Sequence, residues 1–278
     1  TGLSLGGFNY MDTPVRPDFW RVKIDNDGWF KDGKYWKNAH QRCRLDTFTL
    51  SCEKRKEGKR EMIKSVKLSF KVLVNVDPED ETPDLSEVWF NTTYTVYPDA
   101  TVKVENEFLP VYYHAEREMS VPRIGQLFKL NGALETVDWY GRGPWENYAD
   151  RKTSALVGRY RMLVKELAYA YVRPQENGYR TDVRELTLSS PEGNGMKVTG
   201  LPFFCFNAQY APKENYEING KPIRNTIDLK HEKDVFLNID YGQMGVGGDN
   251  SWGNPVHVDY RILLRNYRYG YVIQLFKE

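Results

Sequence analysis

Histidine is scarce in this chain of 278 residues: there are four, His40, His114, His231 and His257. No two of them stand at a metal-ligand spacing, so chemistry that needs several imidazoles has few to draw on. Cysteine is scarcer, with Cys43, Cys52 and Cys205 only. An odd number without a C-x-x-C pair argues against a disulfide framework and against a redox or zinc site, and points to three buried free thiols. Charge of one sign is also missing: 39 Lys plus Arg stand against 38 Asp plus Glu, a formal net charge of +1. That is neither the basic excess of a nucleic-acid binder nor a polybasic surface for anionic lipid. No apolar run approaches the roughly 18–20 residues of a spanning helix. Nucleic acid and membrane are therefore not expected as partners. The sequence holds no G-x-S-x-G, H-E-x-x-H or phosphate-loop motif. Its start lacks Met and shows no charged segment leading into an apolar one, so it reads as a piece of a longer polypeptide whose compartment stays open.

Aromatic residues are plentiful, with 13 Phe, 7 Trp and 19 Tyr making up 14% of the chain. Flat rings with a polar handle suit pleated sheet surfaces and sugar-stacking platforms alike. Period-2 alternation recurs along the chain. Val66, Leu68, Phe70, Val72 and Val74 alternate with Lys67, Ser69, Lys71 and Leu73. Residues 88–108 read as a hairpin turned at Pro98-Asp99. Further strands are expected at residues 185–188, 236–241, 258–264 and 269–276, the last with Tyr269, Tyr271, Ile273 and Leu275 on one face. Residues 159–173 lack Gly and Pro and are the best helix candidate, but their Tyr and Val content favours strand. The acidic stretch at residues 77–84 reads as a solvated loop. One all-β, antiparallel domain covering residues 1–278, closest to a sandwich, is the expected fold.

Sites of chemistry are harder to find. Carboxylates are too common for any pair to stand out as the two that glycoside hydrolysis needs. Asp25-Asn26-Asp27-Gly28 is locally dense, but Trp29 and Trp36 occupy ligand positions of a calcium loop, so a hydrogen-bonded turn is the plainer reading. Gly247-Gly248-Asp249-Asn250-Ser251-Trp252-Gly253 sets a Trp beyond flexible glycines and a polar turn. An indole face there can stack on the C–H face of a sugar while Asp and Asn oxygens reach hydroxyls, or it can anchor a buried turn.

Five longer motifs resemble one family. They are F-W-R-V-K-I-D-N-D at residues 19–27, V-P-R-I-G at 121–125, V-D-W-Y-G-R-G-P-W-E-N-Y-A-D-R at 137–151, R-P-Q-E-N-G at 173–178 and Q-M-G-V-G-G-D-N-S-W at 243–252. In this order they resemble the C-terminal small-chain domain of the large bacterial β-galactosidases of glycoside hydrolase family 2. The resemblance implies an antiparallel supersandwich of the galactose-mutarotase-like type, the last domain of a much longer enzyme. It implies that the catalytic Glu pair and the magnesium and sodium ligands lie in a TIM barrel elsewhere in the polypeptide. This chain then has no catalytic residue, metal ligand or cofactor of its own. Its partners are that barrel and a galactoside such as lactose, with a homo-oligomeric parent an open matter. Trp252, with Asp249, Asn250 and Ser251, takes the substrate-binding role. Asp25, Asn26, Asp27 and Gly28 fall beside the active-site mouth, although Val22 and Lys23 depart from the family pattern. Residues 213–232 match nothing expected. Two other readings remain: a non-catalytic carbohydrate-binding module, and a sugar epimerase with a general acid and base facing one pocket.

Overall fold

The computed structural model describes residues 2–29, 32–76, 87–111, 119–250 and 254–277. Antiparallel strands make up most of it. After the hairpin β1 (Leu3–Leu5) and β2 (Phe8–Met11) comes β3 (Arg16–Asp18), followed by a 3-10 turn at Asp25–Trp29 and one helical turn, α1 (Gly33–Trp36). A meander continues through β4 (Cys43–Glu57), β5 (Arg60–Asn75), β6 (Glu87–Val96) and β7 (Thr101–Pro110). Next are β8 (Ser120–Val121), β9 (Arg123–Leu130), β10 (Thr136–Gly143), β11 (Leu156–Leu163), the short α2 (Val164–Leu167), β12 (Arg180–Ser189) and β13 (Asn194–Gln209). The chain ends with the small hairpin β14 (Glu217–Ile218) and β15 (Lys221–Pro222), then β16 (Val235–Gln243), β17 (Ile262–Leu263) and β18 (Tyr267–Lys277).

The main sheet runs β11-β10-β12-β13-β18-β7-β6-β5-β4. Strand β13 makes it branch. Residues 194–201 pair with β18, whereas residues 205–209 pair with β16. Strand β16 then pairs with β9, and β9 with β3. The branch forms a second layer over the first, giving an antiparallel β supersandwich. Its core lies between the layers. Phe19 packs on Phe90 (5.5 Å between ring centroids) and Trp36, and Trp36 packs on Phe108. The Trp36 indole N–H donates to the Ser120 carbonyl at 3.0 Å. Many of the aromatic rings among the described residues are thus core packing.

Strands β9 and β16 are buried on both faces, and the period of 2 sorts their side chains. Ile124, Phe128, Val235, Leu237 and Ile239 join the apolar core. Arg123, Gly125, Asn238 and Asp240 turn the other way, into a polar layer. Asp240 stands opposite Gly125 in the ladder, and the Asp240 carboxylate fills the space over that glycine. A Cβ on Gly125 would lie 1.8 Å from Asp240 Oδ1.

The hairpin expected at residues 88–108 is β6–β7, and Tyr269, Tyr271, Ile273 and Leu275 of β18 are all buried as expected. Other expectations need correction. Residues 258–264 hold a 3-10 turn at Val258–Tyr260 and only a two-residue strand, because β8 offers a two-residue edge. Residues 159–173 divide into the end of β11, the single turn α2 and irregular chain. Trp139 is buried, but Trp145 of the same motif is 71% exposed and packs in no core. The loop expected at residues 77–84 lies outside the described residues.

The three thiols are free, yet Cys52 on the outer strand β4 is exposed, contrary to the buried expectation. Burial pushes the Cys43 thiol up to about 11 and, together with the Asp240 charge, the Cys205 thiol up to about 12. Because the thiolate is the reactive form, a chromogenic disulfide reagent at pH 8 should modify Cys52 first in the folded chain. Equal rates at all three cysteines would contradict this placement.

Candidate functional site

The outer face of the β3-β9-β16 layer is covered by loops, and the loops are the sequence motifs. F-W-R-V-K-I-D-N-D follows β3, V-P-R-I-G enters β9, and G-P-W-E-N-Y-A-D-R follows β10. R-P-Q-E-N-G precedes β12, and Q-M-G-V-G-G-D-N leaves β16.

A buried guanidinium sits under them. Arg123 Nε lies 3.1 Å from Asp240 Oδ2, one terminal nitrogen 3.3 Å from Glu176 Oε1, and the other 3.5 Å from Asp18 Oδ2. Arg123 also donates to Gln243 Oε1 at 2.7 Å and Asn238 Oδ1 at 3.2 Å. Lys213 completes the cluster by donating to the Asp18 carboxylate and, at 2.8 Å, to the Trp20 carbonyl. This gives residues 213–232 a role, since the 3-10 turn at Lys213–Tyr216 places that ammonium. Burial works against the Arg123 cation, but Asp240, Glu176 and Asp18 outweigh it and hold its pKa above the usual value. For Asp18, burial is outweighed by Lys213 and Arg123, which hold the carboxyl down at about 2. For Asp240, burial wins against Arg123 and lifts the carboxyl to about 7. A guanidinium facing three carboxylates cannot neutralise them all, and Asp240, fully enclosed, is the one whose carboxyl is pushed up.

The same charges pin the loops. Glu176 Oε2 accepts the Val22 amide at 3.1 Å. Asp27 folds back within its turn, taking the Ile24 amide at 3.0 Å and an Arg21 nitrogen at 2.9 Å. That Arg21 nitrogen also donates to the Gly245 carbonyl at 3.3 Å. Arg21 therefore joins the Asp25–Trp29 turn to the glycine loop after β16, although the two are far apart in sequence. Asp150 grips the glycine loop from another side. Its carboxylate accepts the Val246 amide at 3.0 Å and the Gly247 amide at 2.6 Å. Val246 packs with Tyr148 and Tyr179, whose rings stack at 5.7 Å. Glu146 accepts the Gly178 amide at 2.7 Å and the Tyr171 hydroxyl. Arg173 pairs with Asp25 at 2.7 Å in the open.

Of the residues singled out in the sequence, Asp249 and Asn250 are exposed at the tip of the glycine loop. Asp249 Oδ1 lies 2.7 Å from His257 Nε2. Ser251 and Trp252 lie outside the described residues. Asp25 and Gly28 are exposed, Asn26 half-buried, and Asp27 is a buried anchor with no face to solution. The structure brings the Asp25–Trp29 turn and the glycine loop together through Arg21. Arg21, Arg123, Asp150 and Glu176 stand inside motifs already quoted but carried no assigned role. Lys213 and Asp240 gave no separate signal, because charges in a sequence ordinarily read as solvated.

The arrangement is a set of loops tied to one another by buried charges, with an exposed polar tip. Its enclosed carboxylates are engaged by guanidinium groups, by an ammonium or by backbone amides. Among the described residues, no three of His, Cys, Asp or Glu are grouped to hold a metal ion.

The family model described as Beta galactosidase small chain matches residues 1–273. A protein named Beta-galactosidase from Priestia megaterium is 34% identical over 92% of this chain and 23% of its own length. One of the same name from Halalkalibacterium halodurans is 29% identical over 93% of this chain and 24% of its own length. The chain thus spans about a quarter of these relatives. Among solved structures, a galactose mutarotase-like protein from Clostridium acetobutylicum aligns with a TM-score of 0.42 and 12% identity, covering 95% of this chain and 78% of that one.

Proposed function

Since the chain belongs to the β-galactosidase small-chain family, we propose that it is the C-terminal domain of a retaining exo-β-galactosidase and completes the rim of an active site held by a TIM barrel of the same polypeptide. The observation that carries this reading is the convergence of the motif loops over the β3-β9-β16 layer, with Asp249 and Asn250 presented outward from an anchored stem. The relatives' names and the quarter of their length that the chain spans support it.

In a retaining enzyme two carboxylates about 5–5.5 Å apart act in turn, one as acid and base, the other as nucleophile, through a galactosyl-enzyme intermediate. The proposal places both in the barrel, together with magnesium and sodium, and routes no step through a metal in this chain. The chain's contribution is to position the sugar. Trp252 stacks on it, Asp249, Asn250 and Ser251 reach its hydroxyls, and Asp25, Asn26 and Gly28 shape the entrance on a turn that the buried Asp27 anchors. Alone, the chain does not hydrolyse galactosides.

Replacement of Trp252 by Ala in the full-length protein should remove about 0.5–1.5 kcal/mol of stacking. That is a rise of about two- to twelve-fold in KM for a disaccharide. Transfer to sugar acceptors should fall more than turnover of an activated aryl galactoside. Unchanged kinetics for both substrates would sink the assignment. Millimolar galactoside binding without parental catalysis would favour a carbohydrate-binding module, and anomer interconversion by the pure chain would favour an epimerase.

A further inference from the structure

We propose that Asp150 is the positioning residue of this rim: its carboxylate, by holding two successive amides of the glycine loop, sets where Asp249 and Asn250 stand. The inference rests on the sugar-facing reading of that loop given above.

Gly245, Val246 and Gly247 are fixed one after another. The Gly245 amide donates to the Tyr260 carbonyl at 2.8 Å, and its own carbonyl accepts Arg21. The Val246 and Gly247 amides both end on Asp150. Hydrogen bonds to an ionised acceptor are shorter and stronger than neutral ones. The Gly-Val-Gly sequence is what admits the carboxylate. A Cβ at Gly245 would stand 2.6 Å from Asp150 Cγ, and one at Gly247 2.8 Å from Asp150 Oδ2. Val246, the one residue of the three with a side chain, turns it toward Tyr148 and Tyr179. After Gly247 the loop leaves this anchorage, and Gly248, Asp249 and Asn250 are exposed.

Asp150 sits in the loop after β10, so one carboxylate couples that motif to the glycine motif. A tip with an immobilised stem meets its ligand with little further loss of backbone freedom. Without the carboxylate the same contacts are still available, but ordering the stem is charged to binding. The effect therefore belongs in KM and not in bond cleavage, which takes place on another domain.

The test uses the full-length protein with Asp150→Ala and Asp150→Asn, and Trp252→Ala alongside. Hydrogen–deuterium exchange at the Val246 and Gly247 amides reads the anchorage directly. Disaccharide KM and aryl-galactoside kcat read its consequence. Asp150→Ala should speed exchange at both amides by about ten-fold or more, as expected for the loss of at least 1.4 kcal/mol of local protection. It should raise disaccharide KM by about three- to ten-fold and leave kcat for the aryl substrate within about two-fold. Asp150→Asn keeps one acceptor oxygen and should fall between Asp150→Ala and the parent in both readouts. It also serves as the test if Asp150→Ala does not fold. Unchanged exchange at the two amides overturns the proposal, and so does a loss confined to kcat. If Trp252→Ala raises KM and Asp150→Ala does not, only this proposal fails. If Trp252→Ala leaves KM unchanged, the sugar-facing reading fails and takes the proposal with it.

Discussion

Arg123→Met should cost this domain about 3–5 kcal/mol of folding stability at neutral pH, the usual penalty for removing one partner of a buried ion pair. Against a total of about 5–15 kcal/mol for a folded domain, that is enough to unfold a large share of molecules at moderate temperature. Methionine nearly preserves the volume, so the loss is electrostatic and not a cavity. What remains behind it is Asp18, Glu176 and Asp240, all enclosed, with Lys213 the cation left to them. The penalty should grow with pH. Unfolded, Asp240 ionises near pH 4; folded, it keeps its proton up to about 7. Its contribution to stability is therefore full below about pH 4 and is lost as pH rises through 7. Above pH 7 the parent holds an ionised Asp240 against Arg123, and the variant has no such partner for it. Below that, Asp240 is neutral in both proteins and the difference narrows. Asp18 acts in the opposite sense: held at about 2, it contributes above pH 4, and that contribution fades as pH falls toward 2. Urea unfolding of parent and Arg123→Met at pH 5 and pH 8 measures this. A loss below about 1 kcal/mol, or a larger loss at pH 5 than at pH 8, would contradict the charge assignment.

Gly125→Ala is the second large effect. The added methyl would lie 1.8 Å from Asp240 Oδ1 and 3.1 Å from Asp240 Cα, so rotating the side chain away relieves only part of the clash. Displacing the carboxylate also breaks its 3.1 Å contact with Arg123. Overpacking of this kind costs about 1–3 kcal/mol by itself, and the disturbed ion pair adds to it. The expected sum is about 3 kcal/mol or more, from a single methyl group. The two origins can be separated by combining Gly125→Ala with Asp240→Ala, which removes the obstructing atoms. The pair should then be less destabilised than the sum of the single changes by about 1 kcal/mol or more. Strict additivity would mean that the methyl does not meet Asp240.

The strands with one wetter face were the more legible in the sequence. Residues 66–72 and 88–108 alternate because one side of each is largely polar, whereas the end of β18 was legible from Tyr269, Tyr271, Ile273 and Leu275, which recur at every second position and are all buried. Strand β9, Arg-Ile-Gly-Gln-Leu-Phe-Lys-Leu, was not picked out, because both of its faces are buried and one of them is charged. No alternation survives in such a strand. Residues 258–264 misled for the opposite reason: buried Ile262, Leu263 and Leu264 look like a strand, but they only cap the two-residue β8. Trp139 and Trp145 stand in one motif, yet only Trp139 is buried, because the chain leaves β10 after Gly143 and turns Trp145 outward. At the rim, the resemblance pointed to Asp27 and the glycine loop from their motifs. It did not say that Asp27 is an anchor and not a surface group. Nor did it say that Arg21 and Asp150 hold the loop. Those roles depend on which residues meet across the fold, and no spacing along the chain encodes that.

The central claim is that this domain supplies contacts and not catalytic groups to a galactoside bound on another part of the polypeptide. A crystal structure of the full-length protein with a bound galactoside tests it most directly. The expected result places side chains from residues 249–252 within about 4 Å of the sugar, with both carboxylates that flank the glycosidic bond lying outside residues 1–278. A sugar bound away from this rim, or a flanking carboxylate drawn from this chain, would contradict it.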